Sequence, residues 1–289
     1  MTGSADVPPG KAGSGQSRQM SNLQLRVASA VVLAAIVLGL TWVGGLPFRL
    51  LAAAMVCVIF YEWTRMSRTR AAASLGFLPE ALMLVCAGAI VGGAPAWALL
   101  LLTAVAVAIL LFAAQIRGAG QWEPAGLAYA ALSGISLALL RDDDSGGFWA
   151  ILFLFAVVWA TDIFAYFVGR AFGGPKLAPS ISPGKTWSGA LGGALGGVIA
   201  GVILVVFGGG GVSAGLILIA LFLSAVSQAG DLFESWVKRR NGVKDSGNLI
   251  PGHGGVMDRV DGLVAAAFAL YLIGWAFGGD HPAGVLFSV

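Results

Sequence analysis

The sequence predicts an all-α, polytopic integral membrane bundle of about nine transmembrane helices with its N-terminus in the cytosol. Three observations carry that prediction. Hydrophobic residues make up 58% of the chain and its mean hydropathy is +0.87, values of polytopic membrane proteins rather than of soluble folds. The apolar runs are continuous rather than alternating, which suits helices and not barrel strands, and lipid tolerates no open arrangement with unpaired backbone. Charged residues are only 11% of the total, and many of them crowd into one window between two apolar segments.

Met1 to about Asn22 is rich in Gly, Ser, Pro and Lys and nearly free of apolar residues, so it reads as a disordered cytosolic tail without a signal-peptide pattern. The run from Leu25 to Val43 is long enough to span hydrocarbon, and no small-residue cleavage site clearly follows it. It is expected to be a retained first helix. Windows of about twenty residues place further spans near 47–63, 76–93, 96–115, 125–140, 147–168, 187–208, 212–230 and 259–277. The glycines from Gly189 to Gly201 suit a spanning helix packed closely on its neighbours through small-xxx-small faces. The expected organisation is a tail over 1–22, N-terminal helices over 23–140, and a C-terminal region over 141–289 that carries the chemistry. Cys57 and Cys86 both fall inside apolar segments with no CxxC or Cys/His spacing, which argues against a disulfide or a zinc site.

With a cytosolic N-terminus, fifteen of the seventeen Lys and Arg residues fall on the cytosolic side, leaving only Arg49 and Arg141 outside. One missed span would flip every later loop, so the asymmetry supports the helix count. The formal charge of +3 is modest and the basic residues lie near membrane edges. Phosphate lipids or nucleotides therefore fit better than duplex nucleic acid.

Chemistry is expected between Asp231 and Asp261. The window holds Asp231, Glu234, Lys238, Arg239, Arg240, Lys244, Asp245, Asp258, Arg259 and Asp261, with His253 among glycines. Carboxylates, cations and bare backbone together are what a metal-phosphate site requires. Asp231, Glu234, Ser235 and Lys238 recur at three- and four-residue intervals, so much of this set shares one helical face. Asp258 and Asp261 open the last helix. Asp258 could be a simple cap, since the dipole favours acids there, but capping needs one acid and this cluster has two beside Arg259. Gly254 and Gly255 in the turn Pro251 to Gly255 let the backbone approach an oxyanion of phosphate.

The loop before the seventh span carries a second constellation, from Asp162 and Tyr166 through Gly169, Arg170, Gly173, Gly174 and Lys176 to Ser182, Lys185, Thr186 and Gly189. Its GKT invites a P-loop reading, which fails because Pro179 stands where the first glycine belongs. Lys185, Ser182 and Thr186 remain candidates for phosphate contact, and Asp162 is a carboxylate that an apolar helix tolerates only beside a polar cavity or a cation.

From Ser235 to Asp261 the spacing S-x-x-K-R-x4-K-D-x-G-x3-P-G-H-G-G-x-x-D-R-x-D resembles the signature of the phosphatidate cytidylyltransferases, or CDP-diacylglycerol synthases. Asp162 to Gly173 and Ser182 to Trp187 resemble that family's other recurring stretch. The resemblance covers roughly the C-terminal 45% of the chain. Departures are Ser188, where the family usually has Glu, and Gly184, where Lys or Asn is more usual.

The resemblance implies a helical membrane enzyme of the bacterial cytoplasmic membrane. It joins CTP to phosphatidic acid on the cytosolic side, yields CDP-diacylglycerol and pyrophosphate with Mg2+, and acts as a homodimer. A second cation such as K+ is a matter for titration. By motif position, Asp231 and Asp258 would be metal-binding catalytic acids, joined by Asp261 as the other acid of the D-R-x-D element. Lys238, Arg239, Lys244 and Arg259 would hold phosphates, beside Asp245, Gly254 and Gly255. The nucleophile is already an anion, so His253 is expected to position phosphate rather than act as a base.

Competing classes are a transporter, a CDP-alcohol transferase and a lipid-binding scaffold. No internal repeat supports the first, and the D-G-x-x-A-R spacing of the second is absent.

Overall fold

The computed structural model describes residues 22–67, 69, 72–142, 146–250, 254–277, 282–284 and 286. His253, Pro251, Gly252 and the tail expected before Asn22 lie outside the described residues. Nine α-helices run through the described chain: α1 Asn22–Val43, α2 Gly45–Ser67, α3 Leu78–Val91, α4 Ala96–Arg117, α5 Trp122–Asp142, α6 Gly147–Phe172, α7 Trp187–Phe207, α8 Ala214–Arg240 and α9 Met257–Phe277. Seven of them, α2 and α4 to α9, are long and apolar enough to cross a membrane, whereas α1 and α3 carry shorter apolar stretches, Ser29–Val43 and Leu78–Val91. The fourteen residues of α3 cover about 21 Å, short of a ~30 Å hydrocarbon core.

The all-α expectation misses one element. Between α6 and α7 the chain forms an antiparallel hairpin, β1 Lys176–Ala178 with β2 Ser182–Thr186, in which Lys176 faces Thr186 and Ala178 faces Ser182. The GKT sequence thus lies in a hairpin strand that feeds a helix directly, with none of the strand-loop-helix geometry of a phosphate-binding P-loop.

The α6–α7 contact explains the glycine-rich stretch. A Cβ on Gly189 would stand 2.7 Å from the Ala165 carbonyl oxygen, one on Gly193 2.7 Å from that of Thr161, and one on Gly201 2.8 Å from the Phe153 ring. Every fourth residue of α7 therefore lies against the backbone or a ring of α6, as the small-xxx-small reading requires. Thr161 and Ser224 share a buried 2.7 Å hydroxyl contact that ties α8 to the seam. Gly230 and Gly262 do the same for α8 and α9: a Cβ on either would meet the other helix's carbonyl, at 2.8 Å from Asp261 and 2.9 Å from Ser227. Asp231 and Asp261 flank that crossing.

The polar groups collect at two opposite poles. At one, Arg49 of α2 pairs with Asp142 of α5 at 2.5 Å, and Arg141 donates to the carbonyls of Thr41 and Trp42 at 2.6 and 3.2 Å. These are the two basic residues that the loop alternation isolates. Glu62, thirteen residues and about 20 Å further along α2, belongs to the other pole with the rest of the charged window.

Candidate active site

At that second pole a cavity of about 790 Å³ opens between α6, the hairpin, α7, α8 and the start of α9. Four carboxylates, from Asp162, Asp231, Asp258 and Asp261, share its wall with four basic side chains, from Arg170, Lys176, Lys185 and Arg259. Glycines 169, 173, 174, 184 and 189 complete much of the remaining surface and leave backbone accessible.

Each acid is positioned differently. Asp231 lies on α8 and receives Lys185 of β2, Nζ to Oδ2 at 2.5 Å, so the hairpin is pinned across the cavity to a helix 46 positions later. Asp258, on the first turn of α9, takes Lys238 Nζ on Oδ1 at 2.7 Å and the backbone amides of Ser246 and Gly255 at 3.0 and 2.9 Å. The Gly255 contact satisfies an amide just ahead of α9, as an acid in a helix's first turn can. The cap reading of Asp258 is therefore correct in part, while Lys238 and Ser246 hold the carboxylate for something more. Gly254 sits at φ +87°, and a Cβ there would stand 2.9 Å from Asp258 Oδ2, so the turn is shaped around the carboxylate. Asp261 lies one turn along α9 and accepts from the Gly262 amide at 2.7 Å.

Lys238 bridges two acids. Its ammonium also lies 3.1 Å from Glu234, whose side chain is fully buried. Lys238 is thereby held between Glu234 of its own helix and Asp258 of α9. The helix-face reading of Asp231, Ser235 and Lys238 holds in the weak sense that Ser235 Oγ reaches Asp231 Oδ1 at 3.4 Å.

Of the residues singled out by sequence, Asp231, Asp258, Asp261, Lys185, Thr186 and Arg259 line the cavity. Thr186 is only 5% exposed and spends its hydroxyl as the N-cap of α7, accepting from Gly189 at 3.1 Å. Ser188 Oγ lies 3.1 Å from Thr186 Oγ1 and donates to the Gly173 carbonyl, so this residue braces the hairpin end. Ser182 stands across from Ala178 at the hairpin turn and is not among the residues that line the cavity. Arg239 donates to the Val243 carbonyl at 3.1 Å, and Lys244 and Asp245 are exposed on the following loop. Those three belong to the rim beyond α8 rather than to the cavity wall.

Sequence reasoning overlooks Glu62. This side chain of α2 is 1% exposed and reaches the loop before α9 through three hydrogen bonds: Ser246 Oγ at 3.0 Å, Val256 N at 2.9 Å and Met257 N at 2.8 Å. The available signal was the rule applied to Asp162, that an acid inside an apolar helix must be compensated.

A sequence model of the Cytidylyltransferase family matches residues 24–277. A phosphatidate cytidylyltransferase of Brucella suis is 51% identical over 270 residues, 93% of this chain and 100% of its own length. Proteins of the same name from Pseudomonas aeruginosa and Bacillus subtilis are 37% and 33% identical over 277 residues, covering 90% and 88% of this chain and 100% and 98% of their own.

Proposed function

The chain belongs to the cytidylyltransferase family, and from that premise we propose that it transfers the cytidylyl group of CTP to phosphatidate, yielding CDP-diacylglycerol and pyrophosphate. The observation that carries this reading is the cavity in which two lysine-held aspartates from separate helices face basic side chains beside apolar spans.

A phosphatidate oxygen attacks the α phosphorus of CTP in line. A new P–O bond forms, the bond from that phosphorus to the bridging oxygen of the β phosphate breaks, and pyrophosphate leaves. Together the two substrates bring about six negative charges into the site. The cavity's own four acids and four bases leave it close to neutral, so the side chains cannot offset that charge by themselves.

Asp231, Asp258 and Asp261 supply hard oxygen donors on one wall, a set suited to Mg2+. This ion takes one or two carboxylates and completes its octahedron with water and phosphate oxygens. Among the described residues no group of three or more His, Cys, Asp or Glu lies close enough to hold an ion by itself. Bound there, Mg2+ would supply the missing positive charge and steady the departing pyrophosphate, with K+ as a candidate second cation. With a cation on those acids, the ammonium groups of Lys185 and Lys238 would be available to phosphate oxygens, and Arg259 would add charge-assisted bonds from the start of α9. Arg239, Lys244 and Asp245 beyond α8, with Gly254 and Gly255 before α9, are the residues we expect to meet substrate as it enters, and by its motif position so is His253. The lipid phosphate reaches only the interface, which suits Asp258 and Asp261 at the start of α9.

We place the enzyme in the bacterial inner membrane as a multi-pass protein with this cavity facing the cytosol, on the strength of the Lys and Arg asymmetry, and as a homodimer on the strength of the family resemblance alone. Purified protein given labelled CTP, phosphatidate vesicles and Mg2+ is expected to move label into chloroform-soluble product, and EDTA is expected to stop it. Absence of that transfer rules the reading out. A transporter or a lipid-binding scaffold would give none.

A further inference from the structure

We infer that Glu62, in the half of the chain that carries no signature motif, is a positioning residue that sets the geometry of Asp258. Its carboxylate accepts the first amides of α9, Val256 N and Met257 N, and the hydroxyl of Ser246. Both receiving segments hold Asp258 in turn: the amides of Ser246 and Gly255 donate to it, and Met257 is its immediate neighbour. A single buried acid on α2 thus fixes the two backbone segments between which the Asp258 carboxylate is suspended.

The glycines of this turn fit the same account. A Cβ on Gly247 would stand 2.7 Å from Glu62 Oε1, and one on Gly255 would meet Ser246 Oγ and lie 2.6 Å from Glu62 Oε2. Any side chain at either position would push Glu62 out of its seat. Glu62 and Asp258 share the amides around the start of α9, and Asp258 keeps Oδ1 on Lys238.

The proposal rests on the reading of Asp258 as a ligand for metal and phosphate, and its experiment separates the two. Mn2+ binding to the purified full-length chain is measured by electron paramagnetic resonance without nucleotide, for wild type, Glu62→Gln and Ser246→Ala, alongside thermal melting and CTP turnover. The Gln variant keeps the volume but turns an NH2 toward backbone N–H groups. Partners one shell out from a metal typically change its affinity 10- to 100-fold, so about a 10-fold weaker Mn2+ affinity is expected for Glu62→Gln. Ser246→Ala should shift it in the same direction by less, and kcat should fall with KM for CTP nearly unchanged. Mn2+ affinity and kcat equal to wild type in the folded variants, with only the melting point lowered, overturn the proposal, as does a wild-type chain that binds no Mn2+. Loss of CTP turnover in wild type itself, with Mn2+ binding still sensitive to Glu62, would sink the transferase reading and leave the positioning role standing. Should Glu62→Gln not fold, Ser246→Ala decides alone by the same criterion.

Discussion

Lys185 Nζ lies 2.5 Å from Asp231 Oδ2, and through this one pair the hairpin between α6 and α7 is fastened to the middle of the polar half of α8. Both side chains are about a quarter to a third exposed, so the pair contributes modestly to stability. Its larger consequence is functional, because it keeps a movable cation beside a carboxylate on the cavity wall. Replacing Lys185 by Met is expected to lower kcat/KM for CTP about 100-fold, while Lys185→Arg stays within about 10-fold of wild type. Steady-state kinetics on detergent-purified protein check this.

The glycine seam predicts a stability effect without a chemical one. Gly193→Val places Cβ 2.7 Å from the Thr161 carbonyl oxygen, too close for contact, and forces α7 away from α6. Overpacking of this kind costs roughly 1–3 kcal/mol. The melting temperature in detergent should drop, and the folded fraction should retain its KM for CTP.

At the far pole, Arg49 and Asp142 form a comparably short pair, 2.5 Å, in similarly exposed surroundings. Nothing there touches the cavity. Arg49→Ala should change stability by less than about 1 kcal/mol and leave kcat as in wild type, which makes it the control for Lys185.

The two poles should face different compartments. With Cys57 and Cys86 replaced, a cysteine introduced as Arg240→Cys at the end of α8 is expected to react with a membrane-impermeant maleimide only from the cytosolic side. Arg49→Cys should react from the other side. The reverse pattern would invert the proposed topology.

All nine helices are legible as apolar runs, and for the seven long enough to span this follows because such a helix must bury its backbone hydrogen bonds within one segment whatever its neighbours do. Their ends are less so. The window method closes the eighth span near residue 230, yet α8 continues to Arg240, since the helix persists where the composition turns polar. The hairpin from Lys176 to Thr186 escapes notice: its strands are three and five residues long and contain Pro183 and Gly184, which read as loop. Within the site, Asp258 and Lys238 could be picked out by spacing, because their partners lie within one motif, whereas the partner of Asp231, Lys185, stands 46 positions earlier in the chain. Glu62 could not be assigned a place, since its three donors are 184 to 195 positions away and only packing brings α2 to that turn.

The account turns on Asp231 and Asp258 holding a common cation against phosphate. Crystals of the protein grown with Mn2+ and a non-hydrolysable CTP analogue would locate that ion by its anomalous scattering. We predict a peak about 2.0–2.3 Å from carboxylate oxygens of both aspartates and from phosphate oxygens of the nucleotide, with Lys185 and Lys238 turned toward the phosphates. A peak bound by neither aspartate, or a nucleotide seated outside the cavity while both lysine–aspartate pairs remain closed, would contradict it.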